Sequence, residues 1–209
     1  MKVLFATTNP AKVKKYADKL KSKGIELICL KDLNLNLHVD ETGKNALENA
    51  YIKAKAYYEA TGMISIGMDN SLFFENVPEE QQPGTHVRRV HGKELSDDEM
   101  IDYYTNLAKA HGGKIDAKWV YGMVIYDGKK RKDLSWYKDG FFFSTESSSM
   151  RNPGYPLDSI AIVKKYNKYL VELDEEERKE NNQNASKDDE VISFIVNSVK
   201  EESLWREEL

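Results

Sequence analysis

The first thirty residues alternate between short apolar runs and polar turns. Residues 3–6 form an apolar run that is typical of a buried strand. In the polar stretch that follows, Asn9 is a favourable N-cap and Pro10 suits the first position of a helix. Apolar residues then recur at helical spacing as far as Leu20. The pattern predicts a strand that leads directly into the N-terminus of a helix.

The rest of the chain continues this exchange of strand and helix signals. Asn45 with Glu48, and Ser96 with Glu99, form capping boxes that predict the starts of two further helices. An opening strand, helix and strand predict a right-handed crossover. Further strands are predicted at 25–30, 63–67, 119–126, 134–137, 141–143 and 159–163, with turns at Asp127-Gly128 and Asp139-Gly140 and a closing helix from Val191.

The turn at residues 7–12 brings hydroxyl, amide and ammonium groups to the open end of the predicted first helix. Free N–H groups and the helix dipole at such an end attract phosphate. The stretch lacks the spaced glycines and the Gly-Lys-Ser/Thr ending of a P-loop, and an ordinary capped helix explains the same residues. On the residues alone, a phosphate site and a simple cap both stay open.

Two carboxylates adjoin predicted elements elsewhere. Glu41 stands just ahead of the helix that Asn45 begins, where a negative charge also interacts favourably with the helix dipole. Asp69 follows the strand predicted at 63–67, and open α/β sheets often carry reactive groups at strand ends. Asp69 could equally form a turn with Asn70. The pattern leaves both interpretations of each carboxylate open.

Composition excludes several classes of protein. The 209 residues are 40% hydrophobic and 32% charged, without an apolar run of the about 20 residues that a membrane span needs. The N-terminus does not resemble a secretory signal, so we expect a cytoplasmic protein. Cys29 is the only cysteine, which excludes an internal disulfide and a cysteine-based metal cluster. The tail is highly charged from about residue 172.

A net charge of −4 argues against stable binding to nucleic acid, since a phosphate backbone needs a basic face. The basic cluster at Lys129, Lys130, Arg131 and Lys132 directly follows Asp127-Gly128. A solvated hairpin tip is therefore the favoured interpretation of the cluster, and nucleic-acid binding is the least favoured hypothesis for the chain.

Taken in order, these stretches resemble the inosine triphosphate pyrophosphatase family, which removes altered purine nucleoside triphosphates. The resemblance covers nearly the whole chain. The family's Thr-x-Asn-x-x-Lys signature is matched by Thr7-Thr8-Asn9-Pro10-Ala11-Lys12, and its Glu-Thr-Gly, Glu-Asn-Ala and Lys-Ala stretch by Glu41-Thr42-Gly43, Glu48-Asn49-Ala50 and Lys53-Ala54. Less specific matches are Asp69, Pro83-Gly84 with Arg88, and Gly154-Tyr155.

The resemblance implies a single domain over residues 1–209 with an elongated α/β fold, in which a central mixed sheet is flanked by helices and a nucleotide cleft lies between two lobes. It implies a homodimeric, Mg²⁺-dependent hydrolase that converts ITP, dITP and XTP to the monophosphate and diphosphate. Asp69 would be the catalytic base or a metal ligand, and Glu41 would share the metal. The implied substrate-binding residues are Thr7, Thr8, Asn9, Lys12, Asn70, Gly154, Tyr155, Asp158 and Arg178.

The chain departs from the family pattern at three places. Met68 takes the place of the first aspartate of the family's Asp-Asp-Ser-Gly motif, and Asp158 stands two positions from the family's loop aspartate. In the tail, Arg178 replaces a lysine, and 182–184 stand where the family has Ser-His-Arg. These departures keep two alternatives open, a nucleotide-binding protein with weak or no turnover and a pyrophosphatase with a different base preference.

Overall fold

The computed structural model describes residues 1–7, 10–33, 35, 37–185 and 187–206. Its strands are β1 (Lys2–Phe5), β2 (Glu26–Cys29), β3 (Ser65–Phe74), β4 (Arg89–Val90), β5 (Lys93–Glu94), β6 (Lys114–Tyr126), β7 (Arg131–Ser144), β8 (Ala161–Val163) and β9 (Lys168–Tyr169). Its α-helices are α1 (Pro10–Lys21), α2 (Ala46–Thr61), α3 (Asp97–Ala110), α4 (Glu175–Ala185) and α5 (Asp188–Arg206).

Seven of the described strands form one mixed sheet in the order β2-β1-β3-β6-β7-β8-β9. β1 pairs in parallel with both β2 and β3, as expected when helices connect consecutive strands. β7, β8 and β9 pair antiparallel. The structure thus confirms the predicted α/β class with a central mixed sheet flanked by helices. In the described part of the chain, every helix is too short or too polar to cross a membrane.

The chain divides into two compact units. The first contains Met1–Asn70, Tyr121–Trp136 and the chain from Lys187 onward, and the second contains Ser71–Val120 and the segment between Tyr137 and Lys187. In the first unit, apolar residues of β1, β3, α1 and α5 form the largest cluster, which includes Phe5, Tyr16, Ile66, Val191 and Val199. In the second unit, residues of β3, α3 and β7 form a separate cluster, which includes Phe74, Met100, Tyr104 and Phe143.

Helix α2 lies against the sheet through backbone contacts at two glycines. A Cβ atom at Gly67 in β3 would lie 1.9 Å from the carbonyl oxygen of Ala50. A Cβ atom at Gly122 in β6 would lie 2.6 Å from the carbonyl carbon of Ala46. Only glycine permits so close an approach of helix and strand. The backbone itself therefore fixes the distance between α2 and the sheet.

The structure corrects the prediction for Asp69. The predicted strand ended at residue 67, with Asp69 at its end or in a turn, but β3 continues through Asp69 as far as Phe74. Leu72 and Phe74 are buried in the core of the second unit, so the residues after Asp69 also have an apolar face to bury. The strand signal was hidden because Asp69, Asn70 and Ser71 interrupt the apolar run.

The two predicted turns between the later strands had different outcomes. The turn at Asp127-Gly128 is confirmed, since Asp127 Oδ1 accepts the N–H groups of Lys129 at 2.8 Å and Lys130 at 2.6 Å. The turn predicted at Asp139-Gly140 was wrong, because β7 runs without a break through both residues. Gly140 has a φ of 83°, so it marks an irregularity inside the strand and not the end of one.

Candidate active site

Lys53 joins the two predicted carboxylates. Its Nζ atom lies 3.0 Å from Glu41 Oε2 and 3.0 Å from Asp69 Oδ1. The ammonium group also lies 3.4 Å from the carbonyl oxygen of Met68. The side chains of Lys53 and Asp69 are 14% and 12% exposed, whereas that of Glu41 is 44% exposed. Two carboxylates that are far apart in the sequence therefore meet at one ammonium group near the protein surface.

Asn49 holds the other oxygen of the Asp69 carboxylate. Its buried Nδ2 group donates to Asp69 Oδ2 at 3.0 Å, and its Oδ1 atom accepts the N–H of Gly43 at 2.7 Å. A Cβ atom at Gly43 would lie only 2.6 Å from Asn49 Oδ1, so glycine lets the loop that carries Glu41 approach α2. Because Lys53 and Asn49 each hold one oxygen, the carboxylate of Asp69 has a fixed orientation.

The first turn of α2 explains why Asn49 and Lys53 are presented together. Asn45 is the N-cap, and its side chain accepts the N–H of Glu48 at 3.0 Å, as the sequence predicts. Glu48 Oε2 accepts the N–H of Lys44 at 2.8 Å, one residue before the position that the predicted capping box would use. Asn49 and Lys53 are four residues apart and so lie on the same face of the helix. That face is directed at Asp69.

Lys12 on α1 belongs to the same electrostatic environment. Burial lowers the pKa of the Lys12 ammonium, and the charge of Lys53 lowers it further. The charges of Asp69 and Glu41 act in the opposite direction and raise this pKa. Two lysines and two carboxylates are therefore close enough to influence one another beside the first helix.

The other predicted site residues of the first unit are Thr7, Thr8, Asn9 and Asn70. Thr7 follows β1 and donates its N–H to the carbonyl oxygen of Phe5 at 2.8 Å. Asn70 is the neighbour of Asp69 in β3 and is partly buried. Thr8 and Asn9, which were predicted to bind the substrate, lie outside the described residues.

In the second unit, a predicted binding loop carries Gly154 and Tyr155. The N–H of Gly154 donates to Asp97 Oδ2 at 3.1 Å, and Gly154 has a φ of 80°, a conformation that favours glycine. The N–H of Tyr155 donates to the carbonyl oxygen of Asn152 at 2.8 Å, while the Tyr155 side chain is among the exposed large apolar groups. The loop thus has an ordered backbone and presents an accessible aromatic ring.

Asp158 and Arg178 lie in the same unit and contact mainly neutral groups. Asn152 Nδ2 donates to Asp158 Oδ2 at 2.8 Å. Burial raises the pKa of the Asp158 carboxyl, although this hydrogen bond and the charge of Arg178 oppose the rise. The Arg178 guanidinium donates from Nε to Leu173 O and from Nη2 to Val171 O, both at 2.7 Å. Arg178 therefore ties the start of α4 to the segment before it.

Sequence reasoning missed Asn49 and Lys53 as site residues. Both stand in the stretch that resembles the family's Glu-Asn-Ala and Lys-Ala motifs, but the helical pattern attached no chemistry to them. The signal was available, since two polar residues four apart on an otherwise apolar helix face need a partner when that face is buried. Asp69 is that partner.

The fold and this cluster define a class of protein. Two lysines, from α1 and α2, and two carboxylates, from β3 and the loop before α2, influence one another beside the mixed sheet. This arrangement suits an anionic ligand such as a polyphosphate together with a cation. The chain belongs to the Ham1 family, whose family model matches residues 3–186.

Comparisons with individual proteins agree with this membership. The dITP/XTP pyrophosphatase of Aquifex aeolicus is 30% identical over 191 residues, which cover 85% of this chain and 88% of that protein. The dITP/XTP pyrophosphatase of Bacillus subtilis is 25% identical over 177 residues, which cover 84% and 87%. The solved structure of the Staphylococcus aureus Ham1 protein has a TM-score of 0.73 at 21% identity and covers 97% of this chain and 100% of that one, which shows a shared fold.

These comparisons confirm the predicted family resemblance. The names of the relatives also confirm the predicted enzyme class, a pyrophosphatase that acts on nucleoside triphosphates. The roles of individual residues remain predictions.

Proposed function

We propose that this protein hydrolyses altered purine nucleoside triphosphates, such as ITP, dITP and XTP, to the nucleoside monophosphate and diphosphate. The observation that carries the proposal is the convergence of Glu41 and Asp69 on Lys53. Hydrolysis of a triphosphate requires charge neutralisation and a positioned water molecule, and this cluster supplies groups for both tasks. The dITP/XTP pyrophosphatases among its relatives support the choice of substrate.

The triphosphate is proposed to bind at the start of α1. Lys12 supplies a cation there, and the first N–H groups of the helix favour a negative ligand. Thr7, Thr8 and Asn9 complete the proposed cradle by their position in the matched signature. Lys53 provides a second positive charge close to Lys12.

A magnesium ion fits the oxygen atoms of this cluster, although the protein alone would supply few ligands. Glu41 and Asp69 already share one cation, the Lys53 ammonium, and carboxylate oxygens are the ligands that Mg²⁺ prefers. Among the described residues there is no group of three or more His, Cys, Asp or Glu that could hold a metal ion. Glu41 and Asp69 would therefore hold Mg²⁺ together with substrate phosphate oxygens. When bound, the metal would neutralise phosphate charge and lower the pKa of coordinated water.

Asp69 is proposed as the residue that orients the attacking water or shares in metal binding. Asn49 and Lys53 fix the two oxygens of its carboxylate, so the group is oriented before the substrate arrives. The attacking water adds to phosphorus, the bond to the diphosphate leaving group breaks, and the proton of the water passes to a base. Asp69 is the buried carboxylate best placed in the cluster to accept that proton.

The base and sugar of the substrate are proposed to contact residues that come after Asp69 in the sequence. Tyr155 offers an exposed aromatic ring for a purine base, and Gly154 leaves room beside it. The remaining proposed substrate contacts are Asn70, Asp158 and Arg178. A homodimer, a cytoplasmic location and the absence of nucleic-acid and membrane partners are proposed on the resemblance and the composition.

The test is diphosphate release from a panel of ITP, dITP, XTP, ATP, GTP and dGTP, with Mg²⁺ omitted and restored. We expect hydrolysis of the altered purine nucleotides only when the metal is present. Asp69→Asn should abolish most of the activity, while Asp98→Asn, at an exposed position on α3, should not. Equal rates for Asp69→Asn and the unchanged protein would refute the role of Asp69.

One observation favours a second candidate, a nucleotide-binding protein with little turnover. Met68, which replaces an aspartate of the family motif, is buried in the apolar core of the first unit, and its side chain offers no oxygen ligand. This candidate predicts nucleotide binding that depends on Lys12, with no diphosphate release at any Mg²⁺ or Mn²⁺ concentration. Turnover of any triphosphate at ordinary enzyme rates would exclude it.

A further inference from the structure

Asp97 connects two segments that the sequence resemblance marks separately. Arg88 Nη2 donates to Asp97 Oδ1 at 2.7 Å, and the N–H of Gly154 donates to Asp97 Oδ2 at 3.1 Å. One carboxylate oxygen therefore binds a guanidinium, and the other binds a backbone amide of the loop. All three residues lie within the second unit.

The Asp97 carboxylate is held in place by the N-terminus of α3 and by Arg88. Asp97 is the first residue of α3, and the capping box of Ser96 and Glu99 fixes that end of the helix. Arg88 also donates from Nη1 to the carbonyl oxygen of Leu95 at 3.0 Å. The Arg88 guanidinium and the Gly154 amide keep the pKa of Asp97 below its usual value, so the carboxylate is ionised at neutral pH.

In the loop, Asp97 contacts the backbone amide of Gly154, whose conformation determines the direction of the chain before Tyr155. Gly154 has a positive φ, so its N–H direction depends on a conformation that the loop must maintain. The next residue, Tyr155, is exposed and is turned back towards Asn152 by a 2.8 Å backbone hydrogen bond. A fixed Gly154 amide therefore also fixes the backbone from which the Tyr155 side chain projects.

We propose that Asp97 is a positioning residue, which holds the turn at Gly154 and Tyr155 in the conformation that receives the nucleotide. Arg88 orients the Asp97 carboxylate, and Asp97 acts on the substrate only through Gly154. The inference rests on the proposed function, in which Gly154 and Tyr155 line the substrate. It assigns a task to an acidic residue outside the matched motifs.

The experiment compares Asp97→Asn with Asp98→Asn. Both variants remove one negative charge from the first turn of α3, so their effects on the helix dipole are matched, but Asp98 is exposed and lies outside the contacts to Arg88 and Gly154. An asparagine at 97 cannot offer an oxygen to both partners. We expect Asp97→Asn to raise KM for ITP about tenfold and to change kcat less than about twofold. Asp98→Asn should change neither constant by more than about twofold.

Hydrogen exchange of the backbone amides of Asn152, Gly154, Tyr155 and Leu157 gives a readout that needs no substrate, whereas Pro153 and Pro156 carry no amide hydrogen. We expect these amides to exchange about tenfold faster in Asp97→Asn than in Asp98→Asn. Arg88→Gln, which keeps Asp97 but frees its carboxylate, should move exchange and KM in the same direction by a smaller factor. This second variant keeps the test decisive if Asp97→Asn folds poorly.

The outcomes separate this inference from the proposed function. Unchanged exchange at these four amides, or equal changes in KM for the two aspartate variants, would overturn the role of Asp97. A lower kcat with unchanged KM would also overturn it, because positioning of the binding loop should affect KM. If the unchanged protein hydrolyses no triphosphate, the proposed function and its substrate fail, while the exchange data still decide whether Asp97 holds the turn.

Discussion

The charged residues assigned to function differ in their partners between the two compact units. In the first unit, Lys53 contacts two carboxylates, so charge is paired with charge. In the second unit, Arg178 donates to two backbone carbonyls, and Asp97 binds Arg88 with one oxygen and a backbone amide with the other. A cluster of several charged side chains can bind a charged ligand. Charged groups that bind the main chain instead determine the conformation of a loop or helix end. We therefore expect substitutions at these residues of the first unit to affect chemistry, metal use and the stability of the charged cluster, and those in the second to affect loop conformation and substrate fit.

The largest effect is expected for Asp69→Asn. The amide keeps the size of the side chain but removes its basic oxygen, so kcat for ITP should fall by a factor of about 10² to 10⁴. Diphosphate release under saturating substrate measures the change, and Asp98→Asn is the matched surface control. A kcat within about threefold of the unchanged protein would contradict the assignment of chemistry to the first unit.

The next effect is expected for Lys53→Met, measured by urea unfolding with and without Mg²⁺. Removal of the ammonium leaves the mostly buried Asp69 carboxylate facing Glu41, so the free energy of unfolding should fall by about 3 kcal/mol in the absence of metal. Added Mg²⁺ should restore part of this loss, because it can bind the same two carboxylates.

Lys55→Met is the control for this variant. Lys55 lies on the same helix and pairs with Glu59 at the surface, so its removal should leave the unfolding midpoint nearly unchanged. If Mg²⁺ stabilises both variants equally, the metal does not bind between Glu41 and Asp69.

A smaller effect is expected for Lys12→Met, with Lys14→Met as the control on an exposed position of α1. Loss of the phosphate-binding cation should raise KM about tenfold or more, whereas Lys14→Met should leave it unchanged. Steady-state kinetics with ITP at neutral pH measure both constants.

The pH dependence of KM sharpens this test. The ammonium of Lys12 is charged below its pKa, and burial lowers that pKa, so KM should begin to rise at a lower pH than an ordinary lysine would allow. In Lys12→Arg the cation persists at higher pH, and the rise in KM should move to higher pH or disappear. A profile unchanged by Lys12→Arg would mean that another group titrates.

The smallest effect is expected for Arg178→Ala. Two hydrogen bonds to backbone carbonyls are lost, so the free energy of unfolding should fall by about 1 kcal/mol. Lys179→Ala, at an exposed position on the same helix, is the control. If Arg178→Ala lowers kcat as strongly as Asp69→Asn, the contrast between the units is wrong.

Local signals in the sequence were sufficient for much of the fold. Pro10 and Asn45 mark the first residues of α1 and the N-cap of α2, because helix ends are determined by neighbouring residues. The prediction for Asp69 failed, since the strand continues past it only because Leu72 and Phe74 have a core to enter. Such a continuation depends on tertiary packing, which no window of the sequence contains.

For the site, the sequence supplied the carboxylates but not the group that unites them. Glu41 and Asp69 were predicted from the resemblance. The helical spacing of Asn49 and Lys53 indicates that they need a partner, but it does not identify that partner or show that Lys53 lies within 3.0 Å of both carboxylates. A contact between residues on different elements depends on how the helix lies on the sheet. Gly67 and Gly122 determine that placement, and their importance appears only when the backbone distances are known.

Direct contact between α2 and the sheet at Gly67 and Gly122 has a consequence for how this protein tolerates mutation. Because main chain touches main chain there, no intervening side chain separates the strands at Gly67 and Gly122 from α2, which presents Asn49 and Lys53 to Asp69. A mutational scan should therefore find the solvent-facing side of α2 permissive for activity. The same scan should find both glycines intolerant even of alanine, although neither has a functional group.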